Sequence, residues 1–172
     1  EPLAVVLADD PYRAADAADV VWADIEPLKA VVDMDDALSA ETLLFDDLGH
    51  NICWEQSART PIDFVDCEVV VEADLVNSRV AAVSIEARVA TATYEDDRLT
   101  CWASSQGAHS YREDVARALG LDSDDVRVVV TDIGGGFGAK GMASEEEIVV
   151  AQLARLNGRP VRWAETRTEN LI

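Results

Sequence analysis

A glycine-rich stretch, Asp132–Gly141 with the sequence DIGGGFGAKG, places the strongest constraint on the fold of this chain. Five glycines fall within the eight residues 134–141, directly after the apolar run 126–130, which predicts a strand. Glycine adopts positive φ at little cost and lets a ligand lie against the main chain, where consecutive N–H groups can donate to an anion or an oxo group. The pattern therefore predicts a strand that leads into a binding loop.

The charge of the chain narrows the range of partners. Its 172 residues include 34 acidic and 14 basic side chains, which gives a net charge of -20. Duplex nucleic acid is excluded as a partner, because its binding depends on Lys and Arg contacts to phosphates. The only lysines are Lys29 and Lys140, and the aspartates are spread along the whole chain. Such a surface suits high salt, where self-repulsion is screened, so we expect a halophilic source, with an acidic partner-binding face as the alternative.

The sequence carries no targeting signal that we can identify. No apolar run approaches the roughly 20 residues of a membrane helix, and the start lacks a signal-peptide pattern. The three cysteines have no CxxC spacing and are expected to be small buried hydrophobic residues, while two histidines make a protein-ligated zinc site improbable. We therefore expect a cytoplasmic protein without membrane insertion. Its abrupt ends suggest a fragment of a longer protein.

The first part of the chain predicts a β-α-β unit followed by a connector. Apolar runs at 3–8 and 20–25 are typical of strands, and Asp10 with Pro11 marks the start of a helix that continues to Asp19. Residues 33–62 lack sustained periodicity, which indicates a connector with one short helix.

The second part predicts a three-stranded antiparallel sheet from residues 68–75, 88–94 and 99–104, with residues 95–98 as a hairpin turn. Two capping boxes, at 110–113 and 144–147, predict helices that end at Gly120 and at Asn157-Gly158. Residues 160–164 predict one more strand. The segment 126–164 is thus expected to run strand, glycine loop, helix, strand.

Several functions are compatible with such a loop. A P-loop is excluded because Lys140 is followed by Gly141 and not by Ser or Thr. A dinucleotide site stays open, since Gly136, Gly138 and Gly141 satisfy GxGxxG at 136–141 and Glu165 could bind a ribose. Against it, three glutamates at 145–147 would repel a pyrophosphate at the helix start. A non-catalytic scaffold or interface fragment is the remaining alternative.

Four blocks of sequence together carry a resemblance to a known family. They are residues 2–33, 85–121, 126–141 (VRVVVTDIGGGFGAKG) and 145–171. In this order they resemble the large subunit of the xanthine dehydrogenase, aldehyde oxidase and aerobic carbon monoxide dehydrogenase family, the molybdenum hydroxylases. The resemblance implies an α+β (mixed α/β) fold: the end of an α/β hammerhead-like lobe at 1–37, a connector at 38–62, and the first part of a molybdopterin-binding domain at 63–172.

The resemblance also implies a cofactor and its site. The cofactor would be molybdenum held by the dithiolene of a molybdopterin, expected as a dinucleotide, with no protein side chain ligating the metal. Gln106 would hydrogen-bond an oxygen on the metal, and the main chain of the glycine loop would approach the same ligands. The implied cofactor-binding residues are Gln106, Gly107, Gly135, Gly136, Phe137 and Gly138.

The resemblance further implies oxidative hydroxylation of an aldehyde, an N-heterocycle or a CO-type substrate. Partners would be the remainder of the large subunit and iron-sulfur and FAD subunits. No catalytic residue is assigned, because the family's general-base glutamate lies outside this chain, and the chain alone is expected to be inactive.

The resemblance also bears on individual residues. Gly141 stands where purine-oxidising relatives often carry a glutamate, which argues against a purine as the substrate. Glu86 is expected to be structural, His109 to be a loop or cap residue, and the role of Lys140 is left open.

Overall fold

A computed structural model describes residues 3–56 and 63–171 of the chain. The chain divides after Leu75 into two compact units, an N-terminal and a C-terminal unit. Over the described residues, no helix has the length and apolar character needed to cross a membrane.

The N-terminal unit contains two short helices that the sequence predicted. Helix α1 spans Pro11–Asp19, and the Asp10 carboxylate accepts from the main-chain N–H groups of Tyr12 and Arg13, each at 3.0 Å. Helix α2 spans Met34–Ser39 within the expected connector. A single 3-10 turn follows at Asp46–Leu48.

The strands predicted for residues 3–8, 20–25 and 68–75 are not formed. A strand needs a neighbour to pair its main-chain groups, and among the described residues no neighbouring strand pairs with these segments. None of the described residues of the N-terminal unit is buried. For the same reason Cys53 and Cys67 are exposed, so the expectation that every cysteine is buried holds only for Cys101.

The C-terminal unit is built on one sheet of four strands. They are β1 (Val89–Glu95), β2 (Arg98–Ala103), β3 (Val126–Val129) and β4 (Val161–Ala164), in the order β3-β2-β1-β4. β1 pairs antiparallel with both β2 and β4, whereas β2 and β3 are parallel. The fold is therefore mixed α/β, as predicted, but the predicted three-stranded antiparallel sheet is wrong. Residues 68–75 form no strand, and β4 and β3 pair instead with the free edges of β1 and β2, which gives four strands.

The turn between β1 and β2 confirms the predicted hairpin. Asp96 and Asp97 have φ of 51° and 60°, the left-handed conformation at both central positions that a two-residue hairpin turn requires. Aspartate tolerates this conformation better than most residues.

Three helices accompany the sheet: α3 (Ala108–Leu119), α4 (Glu145–Asn157) and α5 (Arg167–Asn170). The capping box that starts α4 and the glycine ends of α3 and α4 are confirmed. The box predicted at 110–113 is wrong, since α3 already begins at Ala108. The Ser110 hydroxyl lies inside the first turn and donates to the Gly107 carbonyl at 3.0 Å.

The core lies between the sheet and helices α3 and α4. Leu99 and Cys101 alternate along β2 and are buried on one face of it, in the same cluster as Tyr111 and Val115 of α3 and Ala151 of α4. Burial raises the pKa of the Cys101 thiol to about 12, so this cysteine packs uncharged. The same core fixes the ends of β2 and β3, where the loops of the predicted site begin.

Candidate cofactor site

Gln106 lies directly beside the glycine loop. It follows β2, and its main-chain N–H donates to the Lys140 carbonyl at 2.8 Å. Its side-chain Oε1 accepts from the N–H groups of Gly138 and Lys140 at 2.9 and 3.2 Å. Because both neighbours of Oε1 are donors, the orientation of the amide is fixed. Its Nε2 has no hydrogen-bond partner among the described residues.

The loop itself holds an unusual main-chain conformation. Gly135, Phe137 and Gly138 have φ of 95°, 53° and 94°, with Gly136 outside this positive range. Positive φ at Phe137 is uncommon for a residue with a side chain and is typical of functional loops. A main chain in which residues of positive φ stand beside others can turn successive N–H groups toward one bound anion or oxygen atom. The N–H groups of Gly135, Gly136 and Phe137 donate to no atom within the described part of the chain.

The glycines at 134 and 136 make room for the chain's own side chains. A Cβ added at Gly134 would lie 2.5 Å from the Cβ of Glu86, and one at Gly136 would lie 2.5 Å from Oε1 of Gln106. At Gly138, by contrast, an added Cβ would meet nothing within 4 Å. Of these three positions, only Gly138 presents a bare main chain to open space.

An ion pair between the buried Lys140 and the partly exposed Glu86 anchors the glycine loop. The Lys140 side chain is 1% exposed, and its Nζ lies 2.8 Å from Oε2 of Glu86, which also accepts the Gly134 N–H at 2.9 Å. The hydrogen bond from Lys140, followed by the one from Gly134, lowers the pKa of Glu86 below its ordinary 4.5. Glu86 thus has the structural contacts expected of it, and Lys140 pairs with a carboxylate.

A second ion pair joins β1 to the end of β4. Oε1 of Glu165 accepts from Nε and Nη2 of Arg88 at 2.9 and 2.6 Å, and its Oε2 accepts from the Arg88 main-chain N–H and from Nδ2 of Asn170, each at 2.9 Å. Burial raises the pKa of Glu165, but the hydrogen bonds from Arg88 outweigh burial, and the pKa is lowered overall. Sequence reasoning did not find this pair.

These contacts argue against the dinucleotide alternative. Both oxygens of Glu165 are engaged, so the carboxylate is not free to bind a ribose. In addition, α4 begins at Glu145 with Ser144 as its cap and not within the glycine loop. A pyrophosphate bound at the loop would therefore meet no helix N-terminus.

Comparison with known proteins agrees with the predicted family. Residues 45–172 match the molybdopterin cofactor-binding domain. The 6-hydroxypseudooxynicotine dehydrogenase complex subunit gamma of Paenarthrobacter nicotinovorans is 34% identical over 175 residues, which cover 99% of this chain and 22% of that protein. The carbon monoxide dehydrogenase large chain of Hydrogenophaga pseudoflava is 30% identical over 190 residues, which cover 99% and 24% of the two chains.

Solved structures give the same result. The structure of quinoline 2-oxidoreductase from Pseudomonas putida 86 matches with a TM-score of 0.85 at 34% identity, covering 95% of this chain and 21% of that one. The chain therefore belongs to the molybdopterin cofactor-binding domain family of the molybdenum hydroxylase large subunits, as the resemblance predicted. It spans about a fifth to a quarter of the length of these three relatives.

Proposed function

We propose that this chain supplies one part of the molybdenum cofactor site in the large subunit of a molybdenum hydroxylase. The observation that carries the proposal is the pairing of Gln106 with the glycine loop. The Gln106 amide is held by two loop N–H groups, and its Nε2 amino group, which has two N–H donors, has no hydrogen-bond partner among the described residues. The loop adds N–H groups at Gly135 and Phe137, and at the buried Gly136, that donate to no atom of residues 3–56 and 63–171.

This donor set fits the family's cofactor. Molybdopterin carries oxygen ligands on its metal and a phosphate on its pterin, and all of these accept hydrogen bonds. When bound, the cofactor supplies the redox chemistry of oxidative hydroxylation. The residues of this chain would orient and hold it: Gln106 through Nε2, Phe137 and Gly138 through an exposed main chain, and Gly107 and Gly135 by close approach to the pterin. Gly136 would support the site by making room for the Gln106 side chain.

The reaction follows from the relatives and stays a proposal for this chain. One relative is named for a carbon monoxide dehydrogenase and another structure for a quinoline oxidoreductase. We propose an aldehyde, an N-heterocycle or a CO-type molecule as substrate, and Gly141 argues against a purine. Iron-sulfur and FAD subunits or domains are the proposed electron-transfer partners, and the general-base glutamate is expected outside this chain.

We also propose the domain division that the resemblance implies. It places the end of the hammerhead-like lobe at 1–37, the connector at 38–62 and the first part of the cofactor-binding domain at 63–172.

The Gln106 donor can be tested by Gln106→Glu in the complete enzyme. A glutamate can still accept from Gly138 and Lys140, but it replaces the Nε2 donor with a charged oxygen. We expect turnover or molybdenum content to fall about 10- to 100-fold, as is typical when a residue that supports a metal site is changed. Activity and metal analysis are the measurements.

Gln56→Glu makes the same chemical change at an exposed residue of the N-terminal unit, outside the glycine loop in sequence, and serves as the control. Both variants should keep the wild-type circular dichroism spectrum. Full metal content and full turnover in Gln106→Glu would remove the proposed role of the amide.

We also propose that the acidic surface is adapted to high salt. At a net charge of -20 the acidic side chains repel one another, and dissolved salt screens this repulsion. The screening length falls from about 10 Å at 0.1 M salt to about 3 Å at 1 M. The melting temperature is therefore expected to rise by about 5 °C or more between these KCl concentrations. An unchanged melting temperature would contradict the halophilic proposal. The cytoplasmic location stays a prediction.

A further inference from the structure

A clamp of hydrogen bonds joins helix α5 to the segment that precedes β1. Arg167, the first residue of α5, donates from Nη2 to the carbonyls of Ser84 and Ile85 at 2.8 and 2.9 Å. Its Nη1 donates to Oδ1 of Asn170 at 2.6 Å, which fixes the guanidinium against its own helix. The planar fork of N–H donors on one arginine therefore holds two main-chain carbonyls and one side chain at once.

The clamped segment follows a strained main chain. Val83 has φ of 39°, a conformation that a β-branched residue rarely adopts. Such a conformation persists only where neighbouring contacts hold it. The next residue, Ser84, is 2% exposed, and its hydroxyl donates to the Glu86 carbonyl at 2.9 Å. The contacts from Arg167 therefore act where the main chain needs an outside partner to keep its conformation.

The same segment supports the glycine loop at more than one point. The main-chain N–H of Glu86 donates to the Gly134 carbonyl at 3.2 Å, and the Glu86 carboxylate accepts the Gly134 N–H at 2.9 Å. A Cβ added at Gly135 would lie 3.3 Å from the Cβ of Ser84, so the two chains approach closely there. Glu86 also pairs with Lys140. This segment thus contacts both the start and the end of the loop.

We propose that Arg167 is a positioning residue of the cofactor site. It fixes the carbonyls of Ser84 and Ile85, and through the adjoining Glu86 it sets the position of the glycine loop relative to Gln106. Within residues 3–56 and 63–171 no hydrogen bond joins Arg167 to Gln106 or to the loop, so it acts through the clamped segment. The inference rests on the proposed function, because the loop that Arg167 positions is the proposed site.

The test is hydrogen–deuterium exchange in peptides of the complete enzyme, produced without molybdenum so that loss of cofactor does not influence the rates. Arg167→Met removes three hydrogen bonds, and peptides covering 134–140 should exchange about tenfold faster. Peptides covering β2 should stay within about twofold of wild type. The matched control is Arg155→Met, because Arg155 also donates to a carbonyl, that of Leu119 in α3, and not to the clamped segment.

Arg167→Lys provides a graded version of the same change. One ammonium replaces the two nitrogens that reach the carbonyls and Asn170 separately, so exchange over 134–140 should be about threefold faster than in wild type. This variant carries the test if the methionine variant fails to fold. In enzyme produced with molybdenum, Arg167→Met should hold about tenfold less metal, and Arg155→Met should hold as much as wild type.

Wild-type exchange over 134–140 in either variant of Arg167 would overturn the positioning role. Equal acceleration over 134–140 and over β2 would also overturn it, because a residue that only stabilises the whole fold gives that result. Faster exchange confined to 134–140, with a full molybdenum content, would confirm the clamp and contradict the proposed function. The failure of the inference and the failure of the proposed function are therefore distinguishable.

Discussion

Replacing Glu165 with alanine is expected to lower the free energy of unfolding by about 3–5 kcal/mol. The Glu165 side chain is fully buried and the Arg88 side chain is 24% exposed. Alanine would leave the Arg88 guanidinium and its main-chain N–H without their carboxylate acceptor. Removing one member of such a pair is costly, because the largely buried Arg88 guanidinium then keeps only the more distant and more exposed Glu146 as a counter-charge. Urea unfolding measures the loss.

The pH dependence of the unfolding free energy gives a second test of the Arg88–Glu165 pair. In the folded protein the pKa of Glu165 is lowered from its ordinary 4.5. The stabilisation that this carboxylate gives is therefore fully present above pH 4.5 and is lost as the pH falls through the lowered pKa. The difference in unfolding free energy between wild type and Glu165→Ala should therefore become smaller as the pH falls below 4.5.

Glu146→Ala is the matched control for the ion pair. Glu146 lies 3.8 Å from the same Arg88 but is 41% exposed. Exposed pairs contribute about 0–1 kcal/mol, so this variant should change stability by no more than that. If the two alanine variants lose equal stability, the Arg88–Glu165 pair does not hold β1 to β4.

The second large effect is expected for Gly134→Ala. The added Cβ would lie 2.5 Å from the Cβ of Glu86 and 3.2 Å from its main-chain nitrogen. The loop must then move away from Glu86, which strains two hydrogen bonds between these residues. Overpacking costs about 1–3 kcal/mol and each hydrogen bond about 1 kcal/mol, so we expect a loss of about 2–5 kcal/mol in unfolding free energy.

Gly141→Ala controls for the loss of glycine itself. Neither Gly134 nor Gly141 has positive φ, and a Cβ at Gly141 would meet only the Gly138 carbonyl at 3.4 Å. The alanine should be neutral or stabilise by about 0.4–1 kcal/mol through the unfolded state. A Gly134→Ala protein as stable as Gly141→Ala would mean that the close approach to Glu86 is not maintained in solution.

The elements predicted correctly depend on neighbours in sequence. The Ser144–Glu147 capping box, the turn at Asp96-Asp97 and the helix stops at Gly120 and Gly158 each involve a few adjacent residues. The strands that were predicted and are not formed depend on distant partners, whereas the wrong capping box at 110–113 is a local error of two residues in the helix start. Residues 68–75 alternate as a strand should, but alternation does not say which segment pairs with β1, and β4 takes that edge.

The candidate site shows the same contrast between features of adjacent residues and contacts between distant ones. The glycine loop is visible in the sequence, while the role of Gln106 came from the family resemblance. Its observed contacts with the loop join residues 32 and 34 positions apart. The Glu86–Lys140 and Arg88–Glu165 pairs span 54 and 77 positions. Spacing along the chain carries no signal for such pairs, because only the closed fold brings them together.

The central claim is that the free amide of Gln106 and the exposed main chain at Phe137 face one cofactor. Anomalous scattering from molybdenum, measured on crystals of the complete large subunit, tests this most directly. We predict a single molybdenum peak beside Gln106 Nε2 and the loop residues 135–138. A molybdenum peak elsewhere, with these donors facing solvent or other side chains, would contradict it.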